Sequence, residues 1–212
     1  MAEPDRTPVI EAQEDNRPNT LSEIIEIEKL REIIESFTNA TDITIDINDK
    51  FGYPVVSHNY FYGFCRSVRS SDSGLKRCID SNAEIGFKTS RQGISCIGRC
   101  HAGVMLMAVP IVVDNQFWGS ISCGQMHLKK PNGDDINHMI KATADLGLDP
   151  GHLGQTFQEI QVISMEKCQA AGGLIQLVVN YIVELIYRAK MQEEFEQGKN
   201  NGRRRSPPHR GT

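Results

Sequence analysis

No stretch near the amino terminus carries the charged, apolar and small-residue succession of a secretory signal. Residues 1–19 are acidic and polar, punctuated by Pro4, Pro8 and Pro18, and read as disordered. No apolar run reaches the roughly 20 residues that a membrane-spanning helix needs. The longest, Val104 to Val113, is interrupted by Pro110, so no membrane association is expected. An excess of basic charge is missing as well. With 23 Lys and Arg against 27 Asp and Glu, the net charge of −4 excludes the basic face that neutralises phosphates, and no direct nucleic-acid binding is expected of this chain. A glycine-rich phosphate loop, an H-E-x-x-H helix and a G-x-S-x-G elbow are all lacking, so nothing marks it as an enzyme. The expected compartment is cytoplasmic, where thiols stay reduced.

Against those absences stand six cysteines in 212 residues, of which Cys65, Cys78, Cys96, Cys100 and Cys123 fall in one central region. In a reducing compartment they point to metal binding, reactivity or burial rather than to a disulfide framework. The densest stretch, Cys96-Ile97-Gly98-Arg99-Cys100-His101-Ala102-Gly103, runs directly into the apolar segment that starts at Val104. A buried strand there would fix the positions of the thiols and the imidazole.

The pattern predicts an α+β domain over residues 20–197. Thr20-Leu21-Ser22-Glu23 has capping-box spacing, and Ile24, Ile27, Leu30, Ile34 and Phe37 recur on one helical face. Ile43 to Ile47 alternates as a half-buried strand, and Tyr53-Pro54-Val55-Val56 returns at an edge. Arg66 to Gly74 is polar and loop-like, and Leu75 to Gln92 is helical, stopped by Gly93. Val104 to Val113 and Gln116 to Cys123 form a hairpin about Asp114-Asn115. Helices are expected over Asp134 to Leu146, over Phe157 to Cys168, and over 172–197. On the last of these, Ile175, Val178, Ile182, Leu185 and Ala189 follow a heptad while Leu174, Leu177 and Tyr181 lie off it. A helix apolar on two sides packs on its own domain with one face and on a partner chain with the other, so a homodimer is expected. Residues 198–212 read as a disordered basic tail.

Four thiols, Cys65, Cys78, Cys96 and Cys100, suffice for a tetrahedral metal site if the fold gathers them. Zinc is the expected metal, with an iron–sulfur cluster as the alternative; four small buried side chains are the competing reading. Covalent haem is excluded, because three residues rather than two separate Cys96 from Cys100. His101 is a metal ligand, a hydrogen-bonding group for a polar ligand, or a buried histidine satisfied by backbone. Gln125, after Gly124 at a strand end, can hold a hydroxyl or carbonyl or be a satisfied core amide. His127 has no assigned role, and Phe117 and Trp118 read as core. Cys100 beside His101 is a poor catalytic pair, since neighbours on a strand point to opposite faces.

Phe64-Cys65, Arg77-Cys78, Cys96 to Gly103, Val109-Pro110-Ile111, Gly119 and Cys123-Gly124-Gln125 stand in the order and spacing of one family. Over Leu30 to Leu128, and more weakly to Arg188, the chain resembles the PocR sensory domain, a divergent PAS-like module of AraC-type activators and histidine kinases. The resemblance implies a PAS-like antiparallel sheet flanked by helices, a long C-terminal signalling helix, and a small ligand such as a diol. It puts Cys65, Cys78, Cys96, Cys100 and His101 at the family's signature positions and leaves metal and ligand roles open; Phe64, His101, Cys123 and Gln125 are the candidate ligand contacts. No helix-turn-helix pair follows Gln197, so a sensor fragment or stand-alone sensor is expected. The rival reading is a cysteine-based metal or redox sensor.

Overall fold

The computed structural model describes residues 21, 26–58 and 60–204. The expectations for 1–19, for the capping-box residues Thr20, Ser22 and Glu23, and for the tail from 205 onward lie outside them. Helix α1 (Ile27–Thr41) buries Leu30, Ile34 and Phe37, and Asp42 closes it in the left-handed conformation. Five strands follow: β1 (Ile45–Asp49), β2 (Pro54–Val56), β3 (Cys96–Arg99), β4 (Met105–Val113) and β5 (Gln116–Met126). They form one antiparallel sheet in the order β2-β1-β5-β4-β3. The β4–β5 hairpin turns at Asp114 and Asn115, both at positive φ (52° and 60°), the geometry that matches strand twist in a two-residue turn.

The two faces of this sheet differ in chemistry. One carries Ile45, Ile47, Val109, Ile111, Ile121 and Cys123, and these pack against α1 and the long helix α6 (Met165–Arg204) in the main apolar core. The other lies under helix α3 (Asp72–Gln92) and presents polar and small residues: Asp46 pairs with Ser122, Asn48 with Ser120, and Ala108 and Pro110 stand opposite those serines on β4. Side chains alternate across a strand, so the Ile-Asp-Ile-Asn run of β1 feeds both faces. A second apolar cluster, built from Phe64, Val68, Met139, Leu153 and Phe157, lies among α2 (Gly63–Arg69), α4 (Gly133–Thr143) and α5 (Pro150–Gln158).

Several boundaries differ from the sequence expectation. The Arg66 to Gly74 stretch expected as a loop is mostly helical: Arg66 to Arg69 belong to α2, whose Phe64 and Val68, one turn apart, are buried in the second cluster, and Asp72 to Gly74 open α3. Phe157 lies in the last turn of α5 instead of opening a helix, and α6 begins at Met165. The Gly172-Gly173 pair, read as a helix start, is internal to α6. A Cβ at Gly172 would stand 3.1 Å from the Met107 sulfur, so glycine lets the helix approach the sheet closely. Helix α6 also continues to Arg204, past the expected end at 197. Its segment Met165–Gln192 is long and apolar enough to cross a bilayer by length and composition. Cys168, Ala171, Ile175, Val179, Ile182 and Ile186 of that segment are buried in the main apolar core.

Candidate ligand-binding site

The polar sheet face is held together by a side-chain network. Asp46 Oδ1 accepts from Ser57 Oγ at 2.5 Å, from the His58 N–H at 3.2 Å and from His58 Nδ1 at 2.8 Å. Burial alone would raise the Asp46 carboxyl, but the His58 ring and the hydrogen bonds from His58 and Ser57 outweigh it and hold the group below its ordinary value. Asn48 Nδ2 donates to Ser122 Oγ at 2.7 Å, and Asn82 of α3 donates to Asn48 Oδ1 at 3.4 Å. Farther along α3 the packing tightens: Thr89 Oγ1 reaches the Ala108 carbonyl at 3.2 Å, and a Cβ at Gly86 would stand 2.9 Å from Ser120 Oγ.

Gln125 is the hinge of this network. Between the pairs Met105–Met126 and Met107–Cys123, two residues of β5 stand against one of β4, which is a bulge. Gln125 takes φ +57 there, a conformation costly for a residue with a Cβ. Its amide offsets that strain. Oε1 accepts from the Tyr62 N–H at 2.8 Å, and Nε2 has Thr44 Oγ1 (3.1 Å), His58 Nε2 (2.8 Å) and the Tyr60 carbonyl (3.1 Å) within reach. The Tyr62 N–H and the Tyr60 carbonyl fix which way the amide faces. His58 Nε2 therefore accepts, and its Nδ1 carries the proton given to Asp46. One side chain thus ties the strap between β2 and α2 onto the sheet.

Of the sequence-selected residues, Cys65, Cys78 and Cys100 come together beside the second apolar cluster, on α2, on α3 and just after β3. His101 joins them, with Nε2 3.5 Å from the Cys78 sulfur and its backbone N–H on Ser81 Oγ at 3.0 Å. Its Nδ1 is buried and has no hydrogen-bond partner among the described residues. Burial, then the nearby Arg77 charge, lowers the His101 pKa, so the ring is neutral at pH 7. Cys96 stands apart. It occupies the far end of β3 from Cys100, about 13 Å away along an extended chain, and bonds Gln92 Oε1 at 2.6 Å. Sulfurs sharing a tetrahedral ion lie about 4 Å apart, so β3 keeps Cys96 and Cys100 from one ion. Among the described residues no group of three or more His, Cys, Asp or Glu side chains is placed to hold a metal. Cys123 lies on the apolar face with Cys168 and Met107. Phe64 stacks edge-on to Phe157 at 5.0 Å, and His127 is satisfied by the Phe157 carbonyl at 3.0 Å.

The clustered thiols are pushed up by burial: Cys65 well above its ordinary value, Cys100 upward, and Cys78 from 9.0 to about 11. A thiol whose folded pKa is raised stays protonated in the native state while the unfolded chain has begun to release its proton. Stability is fully present below pH 9 and is lost as pH rises toward the folded value. Thermal melts of the reduced protein are expected to be flat from pH 7 to 8.5 and to fall steeply between pH 9 and about 11, the window set by Cys78, with Cys78→Ala showing a shallower fall. An unchanged slope in that variant would contradict the assignment.

Sequence reasoning missed Asp46, Asn48, His58, Asn82, Ser120 and Ser122. For Asp46, Asn48, Ser120 and Ser122 the signal was the polar half of two alternating strands, which by itself reads as a solvent face, while His58 after β2 and Asn82 on α3 carried no such pattern. The chain is 24% identical over 184 residues to the regulatory protein PocR of Salmonella typhimurium strain LT2, a match covering 86% of this chain. It spans 60% of that relative's length. Residues 23–187 match the family described as the sensory domain found in PocR, and the chain belongs to that sensory and regulatory family.

Proposed function

We propose that this chain is the ligand-sensing part of a cytoplasmic regulator, binding a small hydroxylated metabolite, diol-like in its simplest form, between the polar sheet face and helices α2 and α3. The supporting observation is the asymmetry of the sheet. One layer separates a buried polar face, carrying Asp46, Asn48, Ser120 and Ser122, from an apolar face that holds the long helix α6. A ligand that shifts the strands on one side shifts the bed of the helix on the other. The hairpin tip adds a second link, since Asp114 accepts from Lys190 at 2.8 Å, its N–H bonds Tyr187 Oη at 3.2 Å, and Lys190 lies 5.1 Å over the Trp118 ring. Differential ligand affinity of a few kcal/mol suffices to switch a two-state helix. Helix α6 then relays occupancy by pairing with a second copy. Leu174, Leu177, Tyr181 and Met191 form an exposed seam at heptad spacing, and Glu184 and Arg188 complete it with opposite charges.

Redox sensing has less support, because protonated, buried thiols are poor nucleophiles. Metal content of anaerobically purified protein tests the metal rival. Propane-1,2-diol or glycerol at about 100 times its Kd is expected to add about 2.7 kcal/mol, or roughly 5 to 10 °C in Tm. His101→Ala is expected to abolish the shift while leaving the domain folded. No shift at saturating polyol would remove this ligand class.

A further inference from the structure

Helix α6 turns about 100° per residue, so the row that packs on the sheet and the row opposite it are fixed by sequence. Ile175, Val179, Ile182 and Ile186 make the buried row. Across the helix from them run Leu177, Tyr181, Glu184, Arg188, Met191 and Phe195, in alternating steps of four and three and all exposed. The two ends of this exposed row are apolar or aromatic. Its middle is a charge pair, with Arg188 donating to Glu184 at 2.5 Å within the helix.

A second helix can meet such a row in two directions. In a parallel pair each position faces its own copy, so Glu184 meets Glu184 and Arg188 meets Arg188 in the middle of the contact. An antiparallel pair reverses the order about a dyad. With the dyad at residue 186, Glu184 faces Arg188 of the second copy, Tyr181 faces its Met191 and Leu177 faces its Phe195. Charge then meets opposite charge and apolar meets apolar. A slip of one heptad sets Arg188 against Leu177 in one direction and Glu184 against Phe195 in the other, which desolvates a charge against an apolar side chain. The surface has a shape to match. An open groove of about 510 Å³, lined by Asn180, Val183, Glu184, Tyr187, Arg188 and Met191, is centred on the same point of the helix. One wall of it is held in place, since Tyr187 Oη accepts from the Asp114 N–H at 3.2 Å.

We propose that a second copy of this chain docks antiparallel on α6, with the dyad at residue 186 and the Glu184 and Arg188 side chains crossing between copies. This rests on the pairing reading above and fixes its direction and register. The two helices, which reach Arg204, then leave the contact at opposite ends, roughly 54 Å apart along the axis, so whatever follows them is held apart rather than brought side by side. Disulfide trapping tests it on the full chain. Chains carrying Tyr181→Cys and chains carrying Met191→Cys, given tags of different mass, are mixed and oxidised mildly, with the wild type as control for its native thiols. The mixed disulfide is expected, and neither variant should link to itself, because the two copies of position 181 lie roughly 15 Å apart along the axis, beyond the reach of a disulfide. Self-linking of Tyr181→Cys, or a dimer by sedimentation without the mixed disulfide, overturns the inference and leaves a paired sensor standing. A chain that sediments as a monomer at every concentration removes the pairing reading as well. If a cysteine variant does not fold, charge reversal carries the test: Arg188→Glu is expected to raise the dimer Kd at least about tenfold, and Glu184→Arg with Arg188→Glu to return it to within about threefold of the wild type. A swap that fails to restore pairing overturns the inference too.

Discussion

Asp46→Ala is expected to cost about 3 kcal/mol of folding stability, a large share of what a domain of this size has. The carboxylate is the shared acceptor of the Ser57 hydroxyl, the His58 N–H and the His58 imidazole, all on Oδ1. Truncation leaves three donors without an acceptor in a place water reaches poorly. It also frees His58, whose other nitrogen accepts from Gln125 at 2.8 Å, so the strap loses its anchors at Ser57 and His58 together. Asp46→Asn keeps one carbonyl oxygen there and should recover about half of the loss. The same geometry fixes an acid limb. The Asp46 pKa is lowered in the folded protein, so its stabilisation is present above the unfolded carboxylate value of 3.8 and drains away as pH falls below it. Urea titrations at pH 7 and pH 3.5 read both effects. A loss under 1 kcal/mol for Asp46→Ala at pH 7 would mean the network is ornamental. So would a variant whose acid limb matches that of the wild type.

How much of this could be read from the chain depends on which physical signal each feature uses. The sheet hairpin was legible because Asp114-Asn115 can only make one kind of tight turn between two apolar runs. The long terminal helix was legible in the apolar spacing of Ile175, Val178, Ile182 and Leu185, whereas the order of the strands in the sheet, set by contacts far apart in the chain, was not. The candidate site was half legible. Cys65, Cys78, Cys100 and His101 advertise themselves by residue type, and the fold does gather them. The other half hides in ordinary alternation. Asp46 and Asn48 look like the wet side of β1 until α3 is laid across them, and nothing in the local pattern says that a helix will be laid there. Cys96 shows the reverse failure. It sits four positions from Cys100 in sequence, but the intervening β3 is extended, and extension turns closeness in sequence into distance in space. Gln125 fits no local rule at all. Its left-handed backbone is unfavourable for a glutamine, and only the hydrogen bonds it makes across 63 to 81 residues of chain explain why it is there.

Ile175→Asp and Leu177→Asp, two residues apart on α6, are expected to fail in opposite ways. Ile175 is fully buried against the sheet, among Cys168, Ala171, Val179 and Ile182. A carboxylate there has no partner, and the cost of burying it or of lifting the helix away exceeds about 4 kcal/mol, enough to leave little native protein. Leu177 is 65% exposed and shares its seam with Tyr181 and Met191, at 56% and 68%. An aspartate there costs the monomer almost nothing. It puts like charges into a pairing surface, so dimer Kd is expected to rise about 30-fold or more while the melting temperature of the dilute monomer stays within a degree or two. Sedimentation at several concentrations reads the first quantity and calorimetry the second. The pair also separates three accounts of one apolar helix. A bilayer span would lose insertion to either aspartate, a lone core helix would notice only the change at 175, and a helix shared between its own sheet and a second copy responds to each in its own currency. Equal tolerance at 177 in both measurements would leave the exposed seam without a partner copy and would force the relay to run through the hairpin contacts of Asp114 with Lys190 and Tyr187 alone.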